Sequence, residues 1–301
     1  MYFFTITSSI LYVNIGIYSF SNLNKCLYPS EIYVFPIFVY KLYLKLTNQT
    51  FVGIFINMVF EVLRNPIELI DGIATTRAEG ILSLFAFICA LLFALSVHEY
   101  AHAFAAYKCG DSTAKLYGRM SVNPLKHVDF FGAAMLLIAG FGWAKPVPVN
   151  YYNLKNPKRD SAIVASAGVC INLLASFFYV ALFLAIAKFV PVELLLQNRF
   201  LYMIVYVIYF FLYYSIILNI GLALFNILPI FPLDGYRVLE AYCKPSNKVL
   251  NFLKQYSFYI LILIILLDYL PFFSPFSWYI GTFRSIIIDL FMSFWGIFGL
   301  A

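Results

Sequence analysis

The chain holds three histidines, and two of them stand four residues apart in His98-Glu99-Tyr100-Ala101-His102. On an α-helix, positions i and i+4 share a face. Both imidazoles can therefore reach one metal ion. Glu99 lies one step round the helix, where its carboxylate can take a proton from a water activated by that metal. The flanking residues, Phe93-Ala94-Leu95 before and Ala103-Phe104-Ala105-Ala106 after, are apolar. Two imidazoles and a carboxylate in an apolar helix cost several kcal/mol unless paired or metal-bound, so ionisable groups in that setting point to function.

A catalytic zinc takes three protein ligands and a water. The motif supplies two, and nothing suitable follows on the same helix. The acids associated with other apolar segments are Asp129, Asp234, Asp268 and Asp289. Asp268 and Asp289 read as helix-end or interfacial groups, and Asp129 opens a short apolar run. Asp234 belongs to Asn226-Ile-Leu-Pro229-Ile-Phe-Pro232-Leu233-Asp234-Gly235. Two prolines and a glycine there break a long helix, which frees backbone carbonyls and lets the acid turn inward. The alternative is a plain helix exit with Asp234 solvated. The third histidine, His127, sits in a basic loop and reads as a solvated or interfacial side chain.

The elements that must position these groups follow from composition. Of 301 residues, 63% are hydrophobic and 11% charged, against roughly half and a quarter in a soluble domain. A water-soluble globule of this size cannot hide so much apolar surface. A soluble enzyme, a disordered chain and a nucleic-acid binder are excluded. The apolar runs are continuous rather than alternating, which excludes a porin-type barrel. The expected fold is an all-α polytopic membrane protein in the cell membrane, in contact with the lipid bilayer. Spanning takes roughly 20 apolar residues, and the runs 81–107, 161–190, 200–228, 249–270 and 276–300 are candidates. About five to six core transmembrane helices are expected. The five cysteines form no CxxC pair and read as small buried hydrophobes.

The run 129–148 is shorter and carries Gly132, Gly140 and Gly142. Lys108, Lys115, Arg119 and Lys126 precede it; Lys145, Lys155, Lys158 and Arg159 follow it. Basic flanks belong in the cytoplasm, so the run is expected to be a re-entrant, membrane-inserted hairpin. Segment 236–254, with Arg237, Lys244, Lys248 and Lys254, should be cytoplasmic too. The ends of 81–107 and 200–228 then reach the same side, and Asp234 can lie at the depth of His98 and His102. Residues 1–75 are apolar but interrupted. They read either as one or two extra membrane segments or as an over-long start, with Met58 as a reasonable alternative beginning. Residues 76–301 form the core.

His98-Glu99-Tyr100-Ala101-His102-Ala103-Phe104 followed by the NxxPxxPLDG motif resembles the site-2 protease family of intramembrane zinc metalloproteases. Gly110-Asp111, Asn123-Pro124-Leu125-Lys126-His127, Lys145-Pro146-Val147-Pro148-Val149-Asn150 and Ser166-Ala167-Gly168 with Asn172 are similar to its compact bacterial branch, which lacks PDZ and CBS domains. The resemblance covers roughly 80–301. It implies one zinc per chain with His98, His102 and Asp234 as ligands and Glu99 as general base. It implies an active site nearer the cytoplasmic face and a substrate with a transmembrane helix. It also implies that 129–150 contributes a strand near the site, where substrate can add as a further strand. Asn172 and Asn226 are candidates for holding the substrate backbone or the oxyanion; the alternative is interhelical hydrogen bonding worth about 1 kcal/mol or less. The family's glycine-proline before Asn172 reads Gly168-Val169 here. Two further readings are a divalent-metal transporter and a catalytically inactive scaffold. No inverted repeat favours the first, and the intact motifs oppose the second.

Overall fold

The computed structural model describes residues 77–132, 144–244, 246–268 and 274–300. Six helices carry the architecture: α1 Arg77–Cys109, α2 Pro157–Phe189, α3 Arg199–Asn226, α4 Asp234–Tyr242, α5 Lys248–Asp268 and α6 Pro275–Ile297. Short helical turns at Thr113–Leu116, Pro124–Lys126, Tyr151–Asn153 and Val192–Gln197 connect them. The described residues form no β-ladder beyond one isolated bridge. The expected all-α membrane class is what the structure has. α1, α2, α3 and α6 are long and apolar enough to cross a bilayer.

The fifth expected run, 249–270, forms α5. Its first turns carry Lys248, Asn251, Lys254 and Gln255. Its 21 residues cover about 32 Å at 1.5 Å per residue, against a hydrocarbon core of about 30 Å. Asp289 stands inside α6 rather than at its end. The expectations for residues 1–75 fall outside the described residues.

Lipid tails are as apolar as leucine, so no hydrophobic force drives helices together within a membrane. Close approach and interhelical hydrogen bonds must do it. The buried face of α1 carries the small residues Ala86, Ala90, Ala94, Ala103 and Ala106 together with Phe87 and Leu91. It packs on α2 and α3, which also pack on each other. The Ser83 hydroxyl and Tyr214 hydroxyl meet at 2.9 Å between α1 and α3. The Trp295 indole N–H donates to the Phe177 carbonyl at 2.9 Å, fastening α6 to α2. At the start of α2, the Asn156 side chain accepts from Arg159 N–H, Pro157 takes the first helical position, and Asp160 accepts from Asn156 N–H at 2.8 Å.

Residues 133–143 of the expected hairpin lie outside the described residues, and the described residues on either side of them meet. Val128 and Ala144 form an antiparallel bridge, and Lys145 N–H donates to the His127 carbonyl at 2.8 Å. This closure corrects the expectation for His127. Its imidazole is buried at 2% exposure, with Nε2–H donating to the Ser121 carbonyl at 2.7 Å. The loop folds round the ring instead of offering it to water.

α3 ends at Asn226, and the proline-rich turn that follows delivers Asp234 as the first residue of α4. Phe231 N–H donates to the Ser257 hydroxyl of α5 at 3.1 Å, tethering that turn. Gly235 makes the turn possible: a Cβ there would run into the carbonyl of Ile227 and approach that of Leu228 to 2.6 Å. Gly235→Ala is accordingly expected to destabilise the fold by about 1–3 kcal/mol through overpacking against backbone. Thermal unfolding in detergent checks this, and an unchanged midpoint would contradict the crowding.

Candidate metal centre

His98 and His102 project from one face of α1, as i and i+4 positions must. Their Nε2 atoms lie 3.0 Å apart. Asp234 Oδ2 reaches them across the bundle, 3.3 Å from His98 Nε2 and 3.2 Å from His102 Nε2. Donor atoms about 2.0–2.1 Å from a tetrahedral zinc are about 3.3 Å from one another. The three atoms thus stand close to the separations of a zinc tetrahedron's edges. Among the described residues, these three form a group that can hold a metal ion.

The hydrogen bonding sharpens the fit. His102 Nδ1 meets the Val164 carbonyl at 2.7 Å. A carbonyl only accepts, so Nδ1 carries the proton, and in the neutral ring Nε2 is left with a lone pair. Asp234 Oδ2 is also a lone-pair atom, is screened from solvent and makes no hydrogen bond. Two acceptors at 3.2 Å repel unless a cation joins them.

Gly168 of α2 forms the other wall. A Cβ at that position would lie 2.5 Å from His102 Nε2 and from His98 Cε1. Only a glycine lets α2 come this close to the imidazole pair. Glu99 is handled separately from the ligand group. Val147 N–H donates to Glu99 Oε2 at 2.9 Å, so the segment from residue 145 holds the carboxylate in place.

The structure thus brings His98, Glu99, His102 and Asp234 into one site. Asn172 stands one turn beyond Gly168 on α2. It is fully buried, and neither its Oδ1 nor its Nδ2 has a partner. Asn226 sits at the end of α3 with its Nδ2–H donating to Leu222 carbonyl at 2.9 Å, turned back along its own helix. Asp129 accepts from Gly132 N–H at 2.8 Å and serves the local turn.

Sequence reasoning assigned no role to Asp111. This carboxylate is fully buried just past the end of α1. It accepts from Thr113 N–H, Thr113 Oγ1–H, Asn153 Nδ2–H and Asn150 N–H. Burial pushes its pKa up, and the donors of Thr113, Asn153 and Asn150 outweigh that, leaving it below the ordinary range. The available signal was Gly110 beside it. Its φ of +114° ends the helix in a conformation that favours glycine.

Comparison with known proteins agrees with this arrangement. The family model described as Peptidase family M50 matches residues 86–267. A Bacillus subtilis protein named "Putative zinc metalloprotease YwhC" is 40% identical over 156 residues, which is 52% of this chain and 68% of that protein. A Mycolicibacterium smegmatis protein named "Putative zinc metalloprotease Rip2" is 27% identical over 180 residues, covering 58% of this chain and 64% of its own length. The Rip2 protein of Mycobacterium tuberculosis is 27% identical over 198 residues, covering 64% and 68% respectively. No solved structure matches the chain significantly.

Gly168→Ala is expected to force the imidazole pair or α2 to move. Metal retained after dialysis against a mild chelator should fall by about tenfold or more, as in disrupted metal surroundings generally. Metal analysis on the purified full chain reads this out. Wild-type retention would show that the contact has room to relax.

Proposed function

The chain belongs to peptidase family M50, the site-2 protease family, and from this we infer that it hydrolyses a peptide bond within or beside a transmembrane helix of a membrane-protein substrate. Membership makes it a membrane-embedded zinc metalloprotease. What carries the finer reading is the convergence of Asp234 Oδ2 on the Nε2 atoms of His98 and His102, beside a separately held Glu99.

His98, His102 and Asp234 would hold one zinc per chain. Zinc in such a site supplies Lewis acidity, which makes a water nucleophilic near neutral pH and polarises a carbonyl. Val147 N–H occupies Glu99 Oε2 and leaves Oε1 to accept the water's proton. Glu99 later delivers that proton to the leaving amine as the carbon–nitrogen bond breaks. The Val164 carbonyl keeps His102 in the tautomer that presents Nε2 to the site. Asn172, with a fully buried and unpartnered amide, is assigned to the substrate backbone or the oxyanion. Asn226, with one Nδ2–H engaged by the Leu222 carbonyl, keeps its second N–H and its carbonyl oxygen for the substrate.

A helical peptide bond is shielded by its own backbone hydrogen bonding, so the substrate must unwind locally before attack. Residues 145–150 run extended beside Glu99 and are suited to receive an unwound segment as an added strand. The basic loops on both sides of the hairpin support a site nearer the cytoplasmic face of the cell membrane.

Purified wild type and Glu99→Gln should each hold near one zinc per chain. With a panel of single-span test substrates in detergent, only wild type should cleave, the variant losing about 10²-fold or more. Wild-type cleavage by Glu99→Gln would remove Glu99 as base. Asp234→Ala should lose zinc on dialysis, and unchanged stoichiometry would remove Asp234 from the ligand set. Zinc in both proteins with metal flux into vesicles and no cleavage would favour transport instead.

A further inference from the structure

Residues 145–150 run between two anchors, and both anchors come from the loop leaving the C-terminus of α1. At one end, Arg119 Nη2–H donates to the Lys145 carbonyl at 2.6 Å and lies 3.4 Å from that of Pro146. At the other, Asn150 N–H donates to Asp111 Oδ2 at 2.7 Å. Between them, Val147 N–H donates to Glu99 Oε2 at 2.9 Å. Pro146 and Pro148 flank Val147. They carry no N–H and have fixed φ, so Val147 is the one donor in that stretch and the backbone round it is stiff. Displacing either end must displace the Val147 amide.

Asp111 divides its two oxygens between two tasks. Oδ1 takes Thr113 N–H at 3.1 Å, Thr113 Oγ1–H at 2.5 Å and Asn153 Nδ2–H at 2.9 Å. Oδ2 is given to Asn150 N–H. The first set shapes Asp111's own loop and the turn after residue 150; the second fixes the end of the extended segment. Neither Asp111 nor Arg119 belongs to the metal-ligand group.

We propose that Asp111 and Arg119 form a two-point clamp that strings residues 145–150 against Glu99, and that both are positioning residues for the catalytic carboxylate, acting through Val147 N–H. The catalytic part of this rests on the reading of Glu99 as base. The clamp itself does not, because amide protection reports it without any cleavage.

The experiment uses the zinc-loaded full chain in detergent, with hydrogen exchange measured over 145–150. Compared are wild type, Asp111→Asn, Arg119→Ala and Thr113→Val. In Asp111→Asn an amide replaces the oxygen that faces donors, and Val147 and Asn150 should exchange about tenfold faster or more. Arg119→Ala, which removes the hydrogen bonds to the Lys145 and Pro146 carbonyls, should also speed Val147. Thr113→Val loses only a bond to Oδ1 and should match wild type. Zinc per chain should stay constant throughout. On a single-span test substrate, kcat should fall about 10- to 100-fold in both clamp variants with KM little changed. Wild-type protection of Val147 in both clamp variants overturns the proposal. So does equal loss in Thr113→Val and Asp111→Asn, or loss of zinc alongside protection. If Asp111→Asn does not fold, Arg119→Ala decides alone by its effect at Val147. If wild type cuts no substrate, exchange still decides the clamp and only the catalytic reading falls.

Discussion

A carboxylate oxygen and two imidazole nitrogens meet inside an apolar bundle, and two of the three, Asp234 Oδ2 and His102 Nε2, present lone pairs to each other. At 3.2 Å that pair is repulsive unless a cation joins it. Much of the rest of the architecture exists to make this meeting possible. α1 must be helical so that positions 98 and 102 share a face. α3 must stop where it does, and the proline turn must redirect the chain, for Asp234 to arrive from the far side. Gly168 must lack a side chain so that α2 closes the third wall.

Beside the imidazoles, the bundle achieves this closeness by small residues on α1 and α2. In lipid, burial of leucine against leucine brings little, so packing has to come from shape and hydrogen bonding. The buried alanines of α1 and the residues Ala162, Ala165 and Gly168 of α2 serve that end. A side effect is chemical: a backbone carbonyl of α2, that of Val164, comes within hydrogen-bond reach of His102 Nδ1 and selects its tautomer. Packing and site chemistry are here one set of contacts.

Much of the site was legible in the residues themselves. The i, i+4 spacing of the histidines, the carboxylate between them and the broken helix ending in Asp234 are local patterns with direct physical meaning. The membrane class followed from composition. His127 was misjudged because a histidine in a basic loop looks solvated until the loop is seen to close through Lys145 N–H on its carbonyl. Asp111 entered only as part of a resemblance, because two of its four donors, Asn150 N–H and Asn153 Nδ2–H, stand 39 and 42 residues away.

By itself the sequence determined the membrane setting, the helix carrying the paired imidazoles, and the proline-glycine break that frees an acid to turn inward. These are properties of composition and short-range spacing, which a chain carries wherever it folds. The tertiary structure decided that Asp234, not Asp129, meets the imidazoles, and that Glu99 is held by the amide of Val147. It also decided that Asn172 is buried without a partner and that Asp111 anchors the segment beside the base. The physical reason is that these depend on which helices touch and at what depth. The groups that complete them are largely main-chain N–H and C=O, which nearly every residue possesses and which no residue letter distinguishes.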